Sequence, residues 1–93
     1  MTRFLVRVEL FDAGYQAYEI LYEEMEKYGF SKDVLDENRK VFELPNGTYT
    51  GESIGSAEDV RSQVSAIADL LSSKPASVFV CAFTEWDSYL YPR

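Results

Sequence analysis

Apolar and polar residues alternate at the start of the chain. In Arg3-Phe4-Leu5-Val6-Arg7-Val8-Glu9-Leu10, one face of an extended strand carries Phe4, Val6, Val8 and Leu10. The other carries Arg3, Leu5, Arg7 and Glu9. A period of two with β-branched residues predicts a strand with one face against a core. Over residues 13–28 the period becomes helical. Ala17, Leu21, Met25 and Tyr28 form a stripe widened by Tyr18, and Glu19, Glu23, Glu24 and Glu26 lie around the other side. Asp12 stands where a helix N-cap is expected, and Lys27 and Gly29 suit a helix C-terminus. Tyr15, Tyr18, Tyr22 and Tyr28 are expected along the core edge with their hydroxyls in water.

Residues 30–35 and 40–44 read as strands joined by the turn cluster Asp36-Glu37-Asn38-Arg39. Pro45-Asn46-Gly47 interrupts, and the chain is extended again from Thr48, with Gly51 suggesting a bulge. Residues 40–54 are thus one bent strand or two short ones. Ser56-Ala57-Glu58-Asp59 fits a capping box, and Ala57, Val60, Val64, Ile67, Ala68 and Leu71 form the stripe of a second helix. Residues 76–83 are apolar on both faces, Val78, Val80 and Ala82 alternating with Phe79, Cys81 and Phe83, which predicts cover on both sides. Two helices cover one side only, so a second copy of the chain is the expected cover for the other. The tail holds Trp86, Tyr89, Leu90 and Tyr91 and is expected to pack. Phe79, Phe83, Trp86, Tyr89 and Tyr91 are the candidate residues of a homodimer interface.

The order strand, helix, strand, strand, helix, strand predicts an α+β fold. It is the ferredoxin-like βαββαβ sandwich, an antiparallel four-stranded sheet with two helices on one face, built by residues 1–93 as a single domain. That fold serves many activities and selects none.

Composition narrows the chemistry. Hydrophobic residues make up 46%, which argues against disorder. No apolar run is long enough for membrane insertion, and the start lacks a signal-peptide layout, so a cytoplasmic location is expected. The chain has no histidine and one cysteine, Cys81. A Cys/His metal cage and the usual acid–base group at neutral pH are therefore excluded. Cys81 reads as a small core hydrophobe. No residue pattern supports a cofactor or a divalent metal. Net charge is −7, which opposes sequence-independent binding of nucleic acid and favours a basic protein partner. Catalysis would fall to carboxylates, Lys, Arg or Tyr.

Arg3, Arg7 and Glu9 share one strand face. Two guanidiniums to position a phosphate backbone and one carboxylate as base or metal ligand would make a small phosphate site. Cross-strand ion pairing, or contact between two copies, is the structural alternative. Arg39 and Lys40 form a second basic pair in the predicted turn, where solvation is the plain reading.

The first strand ending in an acidic residue, the helix closing on Met25-Glu26-Lys27-Tyr28-Gly29-Phe30-Ser31, and the chain length together resemble the GhoS endoribonuclease family. These are RNA-cleaving antitoxins of type V toxin–antitoxin pairs. Phe42-Glu43-Leu44-Pro45, Lys74-Pro75-Ala76-Ser77-Val78 and the aromatic tail are similar to a bacterial and phage branch of that group. The resemblance implies cleavage of single-stranded RNA, the message of a small membrane toxin. It maps the acidic position onto Glu9. The strand-face and turn residues, read by themselves, add Arg7 as its catalytic companion and Arg3, Arg7, Arg39 and Lys40 as candidate RNA contacts. The arginines of the family's first helix are replaced here by Ile20-Leu21-Tyr22-Glu23-Glu24. The residues by themselves also admit a non-catalytic dimerisation or protein-binding module.

Overall fold

The alternating stretch becomes β1 (Thr2–Glu9), an inner strand of the main sheet, in the computed structural model, which describes residues 1–93. It is followed by α1 (Tyr15–Lys27), β2 (Phe30–Ser31), β3 (Asp33–Leu35), β4 (Val41–Glu43), β5 (Thr48–Ser53), α2 (Ala57–Ala68), a 3-10 turn (Asp69–Leu71) and β6 (Ser77–Ala82). The main sheet is antiparallel in the order β2-β5-β1-β6, while β3 and β4 pair separately as a two-stranded sheet. Taken as β1-α1-β2-β5-α2-β6, the chain has the expected ferredoxin-like α+β arrangement, with a hairpin inserted between its second and third main-sheet strands.

That insertion departs from the sequence reading. Residues 30–35 are not one strand. The Ser31 hydroxyl accepts a hydrogen bond from the Asp33 main-chain N–H at 3.0 Å, and this local turn ends β2 after two residues. The strand that fills the third place is β5, not residues 40–44. The turn between β3 and β4 is the expected one: the Asp36 carboxylate accepts from the N–H groups of Asn38 and Lys40, with Arg39 at φ 63°. The bulge expected at Gly51 is absent, because β5 keeps an unbroken register with β1 on both sides of it.

The core follows the two stripes and the alternating strand. Phe4, Val6, Val8, Leu10, Leu21, Met25, Phe30, Tyr49, Val60, Val64 and Ala68 form one buried cluster. Tyr28, placed on the stripe by periodicity, is about half exposed because α1 ends before it and Gly29 turns the chain at φ 85°. Asp12 does not cap α1: Gly14 holds that position without a side-chain bond. Asp12 instead accepts from the Ser73 hydroxyl at 2.7 Å, while the Phe11 N–H donates to the Ser72 hydroxyl at 2.8 Å. These bonds tie the end of β1 to the segment after α2.

The capping box of α2 is complete. The Ser56 hydroxyl accepts from the Asp59 N–H at 3.1 Å, and the Asp59 carboxylate accepts from the Ser56 N–H at 3.0 Å. Ser56→Ala is expected to cost about 1 kcal/mol in thermal unfolding. Tyr49 supplies a pH test. Burial pushes its phenol well above the ordinary 10.0, since the charged form would lose its water. The folded chain then holds a proton that the unfolded chain releases. The contribution is fully present below pH 10.0 and is lost as pH rises beyond it. Tyr49→Phe is expected to flatten the fall in denaturant midpoint on that alkaline side.

The second face of the sheet is covered in part by the chain itself. Leu5, Thr50, Cys81 and Phe83 on the sheet, Val34 and Leu44 near the hairpin, and Trp86 and Leu90 of the tail line an open apolar cavity of about 280 Å³. The tail runs beside the hairpin: Phe42 and Pro92 form a β-bridge, and the Glu43 N–H donates to the Tyr91 carbonyl at 3.3 Å. Arg93 pairs with Asp33 at 2.6 Å and Glu43 at 3.1 Å. The expected packing of the tail is thus met within one chain for Trp86 and Leu90 but not for Tyr89 and Tyr91, which stay exposed, and Cys81 lines this cavity instead of sitting in the main core. Cover on both faces of β6 is not complete: Phe79 is 63% exposed.

Candidate functional site

Strand register decides which side chains share the second face. β1 pairs with β6 so that Arg7 lies opposite Phe79 and Glu9 opposite Ser77. It pairs with β5 so that Arg3 lies opposite Glu52 and Arg7 opposite Thr48. Paired residues in a sheet point to the same side. The hairpin and tail lie over the end that holds Leu5, Thr50, Cys81 and Phe83. Arg7, Glu9, Ser77 and Phe79 remain exposed at the other end. The charges on this main-sheet face, Arg3, Arg7, Glu9 and Glu52, balance in sign. The carboxylates of α1 stand on the helix layer, on the opposite side of the sheet.

The Arg7 guanidinium is seated by a glycine. Its Nη1 donates to the Val8 carbonyl at 2.8 Å, and a Cβ on Gly47 would stand 2.4 Å from that nitrogen. Gly47 is also held by the Val8 N–H, which donates to its carbonyl at 2.7 Å. The Thr48 N–H donates to the Pro45 carbonyl at 3.0 Å, and Gly47 takes φ 78°, the third position of a type II turn. One guanidinium N–H is committed to this seat, which leaves the other donors without a hydrogen-bond partner in the chain. Glu9 takes part in no ion pair, and no side-chain hydrogen bond engages it.

The other sequence candidates lie apart from this pair. Arg3 is four residues from Arg7 along the strand, about 13 Å. Its guanidinium lies over the Phe83 ring at 5.0 Å, toward the covered end. Arg39 and Lys40 belong to the β3–β4 turn, with the Lys40 ammonium over Phe42 at 5.6 Å. The structure therefore leaves Arg7 and Glu9 on one exposed strand face but does not bring all four basic residues to one point. Of the interface candidates, Phe79 is exposed on β6, Phe83 is half-buried, Trp86 lies over the cavity, and Tyr89 and Tyr91 are exposed with rings edge to face at 5.8 Å. No three carboxylate or thiol groups converge as a cation cage. No helix is long and apolar enough to cross a membrane.

Two residues beside the site had no functional reading in the sequence. Ser77 becomes visible only through its register with Glu9, and Gly47 only through its contact with Arg7. Comparison with protein-family models finds no match, and no curated protein matches the sequence.

Proposed function

We propose that the chain is a GhoS-like endoribonuclease that holds single-stranded RNA across the uncovered ends of β1 and β6. The observation that supports this reading most is the exposed cross-strand pair of Arg7 and Phe79 beside Glu9. A flat aromatic ring offers a stacking surface to any base, and the Arg7 guanidinium, held at Gly47 on the β5 side of β1, offers donors to a phosphate. Glu9 lies two residues from Arg7 on the same face, about 7 Å along the strand. In the proposed step Glu9 takes the proton of a ribose 2′-hydroxyl as that oxygen attacks the neighbouring phosphorus. The bond from phosphorus to the 5′-oxygen breaks, and the leaving oxygen takes a proton from solvent. Arg7 stabilises the charge that builds on the phosphate oxygens.

Titration of a labelled single-stranded RNA tests the footprint. Phe79→Ala is expected to weaken binding by about 1–3 kcal/mol. Arg7→Ala is expected to weaken it for all sequences alike and to lower the salt slope by about one phosphate. Unchanged affinity in both variants would remove RNA from this face. A second reading has its own observation: Tyr89 and Tyr91 are exposed side by side on a docked tail, and the chain carries a charge of −7. A basic protein that binds there without any cleavage would account for both.

A further inference from the structure

We infer that β6 is the contact edge of a homodimer, in which two copies of the chain join their four-stranded sheets into one continuous sheet of both protomers. This inference uses the edge of the sheet and does not rest on the RNA reading.

β6 ends the main sheet and pairs only with β1. The phase of its hydrogen bonds is set by the Phe83 N–H, which donates to the Arg3 carbonyl at 3.0 Å. Bonding alternates along an antiparallel pair. Ser77, Phe79 and Cys81 therefore turn their main-chain groups toward β1, and Val78, Val80 and Ala82 turn theirs outward. No turn, loop or cap bond engages those outward groups. The strand reads Ser-Val-Phe-Val-Cys-Ala, with no charge and no proline, and its register with β1 is unbroken. The usual protections of a free edge are missing. The opposite edge offers no comparable template, because β2 is two residues long and the chain bends away after it.

A second copy fits this edge better than an arbitrary extended segment does. With Val80 on a two-fold axis, Val80 faces the partner's Val80, and Val78 faces the partner's Ala82. Every outward N–H and C=O then meets its counterpart, whereas a two-residue slip leaves some unpaired. An isologous contact of this kind is closed, so it stops at two copies. Charge agrees with the antiparallel direction. Lys74 precedes the strand and Glu85 follows it, so self-pairing brings Lys74 to the end where the partner's Glu85 lies. Within the strand no like charges meet, despite the net charge of −7. On the second face, Phe79 comes to lie opposite the partner's Cys81 and loses part of its exposure. The contact differs from the sequence expectation in its place: the strand edge carries it, and Trp86, Tyr89 and Tyr91 stay with their own hairpin.

Sedimentation of the wild-type chain and two variants tests this. Ala82 is exposed and its N–H points outward, so Ala82→Pro removes a donor from the edge and no bond to β1. The wild type is expected to sediment at twice the mass of one chain. Ala82→Pro is expected to lose the dimer and keep the wild-type circular dichroism. Phe79→Cys provides a readout that does not depend on the proline variant folding. In the proposed register its Cα lies about 4.5 Å from that of the partner's Cys81, a non-hydrogen-bonded pair within disulfide reach. With oxidised glutathione as oxidant, Phe79→Cys is expected to run as a covalent dimer without reductant. The wild type is expected not to do so, since Cys81 and the partner's Cys81 lie diagonally, about 8 Å apart. A monomeric wild type would overturn the inference. So would a dimer that persists in folded Ala82→Pro, or a Phe79→Cys chain that stays uncrosslinked.

Discussion

Glu9→Gln is expected to lower the rate of single-stranded RNA cleavage by about 10²–10⁴-fold, the range a positioned general base contributes. RNA affinity and unfolding temperature are expected to stay close to wild type. Glutamine keeps the length and shape of the side chain but cannot accept the 2′-hydroxyl proton. Glu9 is exposed and takes part in no ion pair, so its replacement leaves no buried group unpaired. Surface changes of this type move stability by about 0.5 kcal/mol or less. The measurement is cleavage of labelled RNA by rigorously purified wild type and variant, with and without chelator. Equal cleavage by the two forms would mean that Glu9 is not the base. No cleavage by either, with binding retained, would leave an RNA-binding face without catalysis. Arg7→Ala separates the roles further, because it is expected to weaken both binding and rate.

Gly51→Ala is expected to destabilise the fold by about 3 kcal/mol, at the upper end for an overpacked interior. The reason is space, not backbone conformation. A Cβ at this position would lie 2.5 Å from the Gly29 carbonyl oxygen and 2.6 Å from Phe30 Cδ1. Phe30 is buried in the core, and Gly29 is held in the left-handed turn that ends α1. Neither neighbour can retreat without opening the pairing of β2 with β5. In a domain of this size the loss corresponds to a fall in melting temperature of about 12–24 °C. Gly14→Ala is the control: nothing lies within 4 Å of its added Cβ, and its φ of −96° suits alanine. Since Gly14 is the N-cap of α1, where alanine is disfavoured, the substitution is expected to cost no more than about 1 kcal/mol, well short of Gly51→Ala. A Gly51→Ala chain as stable as Gly14→Ala would show that β2 and β5 do not approach this closely.

The same glycine shows where local reading stops. Gly51 within an extended run suggested a bulge, but the register passes through it unbroken, and its purpose is the approach of a strand that is distant along the chain. Asp12 had the residue type of a cap and the spacing of one. Its carboxylate is taken by Ser73, 61 positions away. Arg7 and Glu9 were visible as neighbours on one strand face. Phe79 as the companion of Arg7, and Gly47 as its seat, depend on strand pairing and on a turn contact that no short window contains.

The sequence by itself determined the alternation that makes β1, the stripes of α1 and α2, the capping box at Ser56, the Asp36 turn and the α+β order of elements. These are set by interactions within a few residues: side-chain periodicity, a cap, a turn carboxylate. Only the tertiary structure decided that β5 and not β4 joins the main sheet, that the hairpin and tail cover one end of the second face, and that β6 is left with a bare edge. Those outcomes compare one long-range pairing with another. Alternating strands present similar apolar faces and identical main-chain groups, so the choice among them rests on which surfaces fit once the helices have taken the first face.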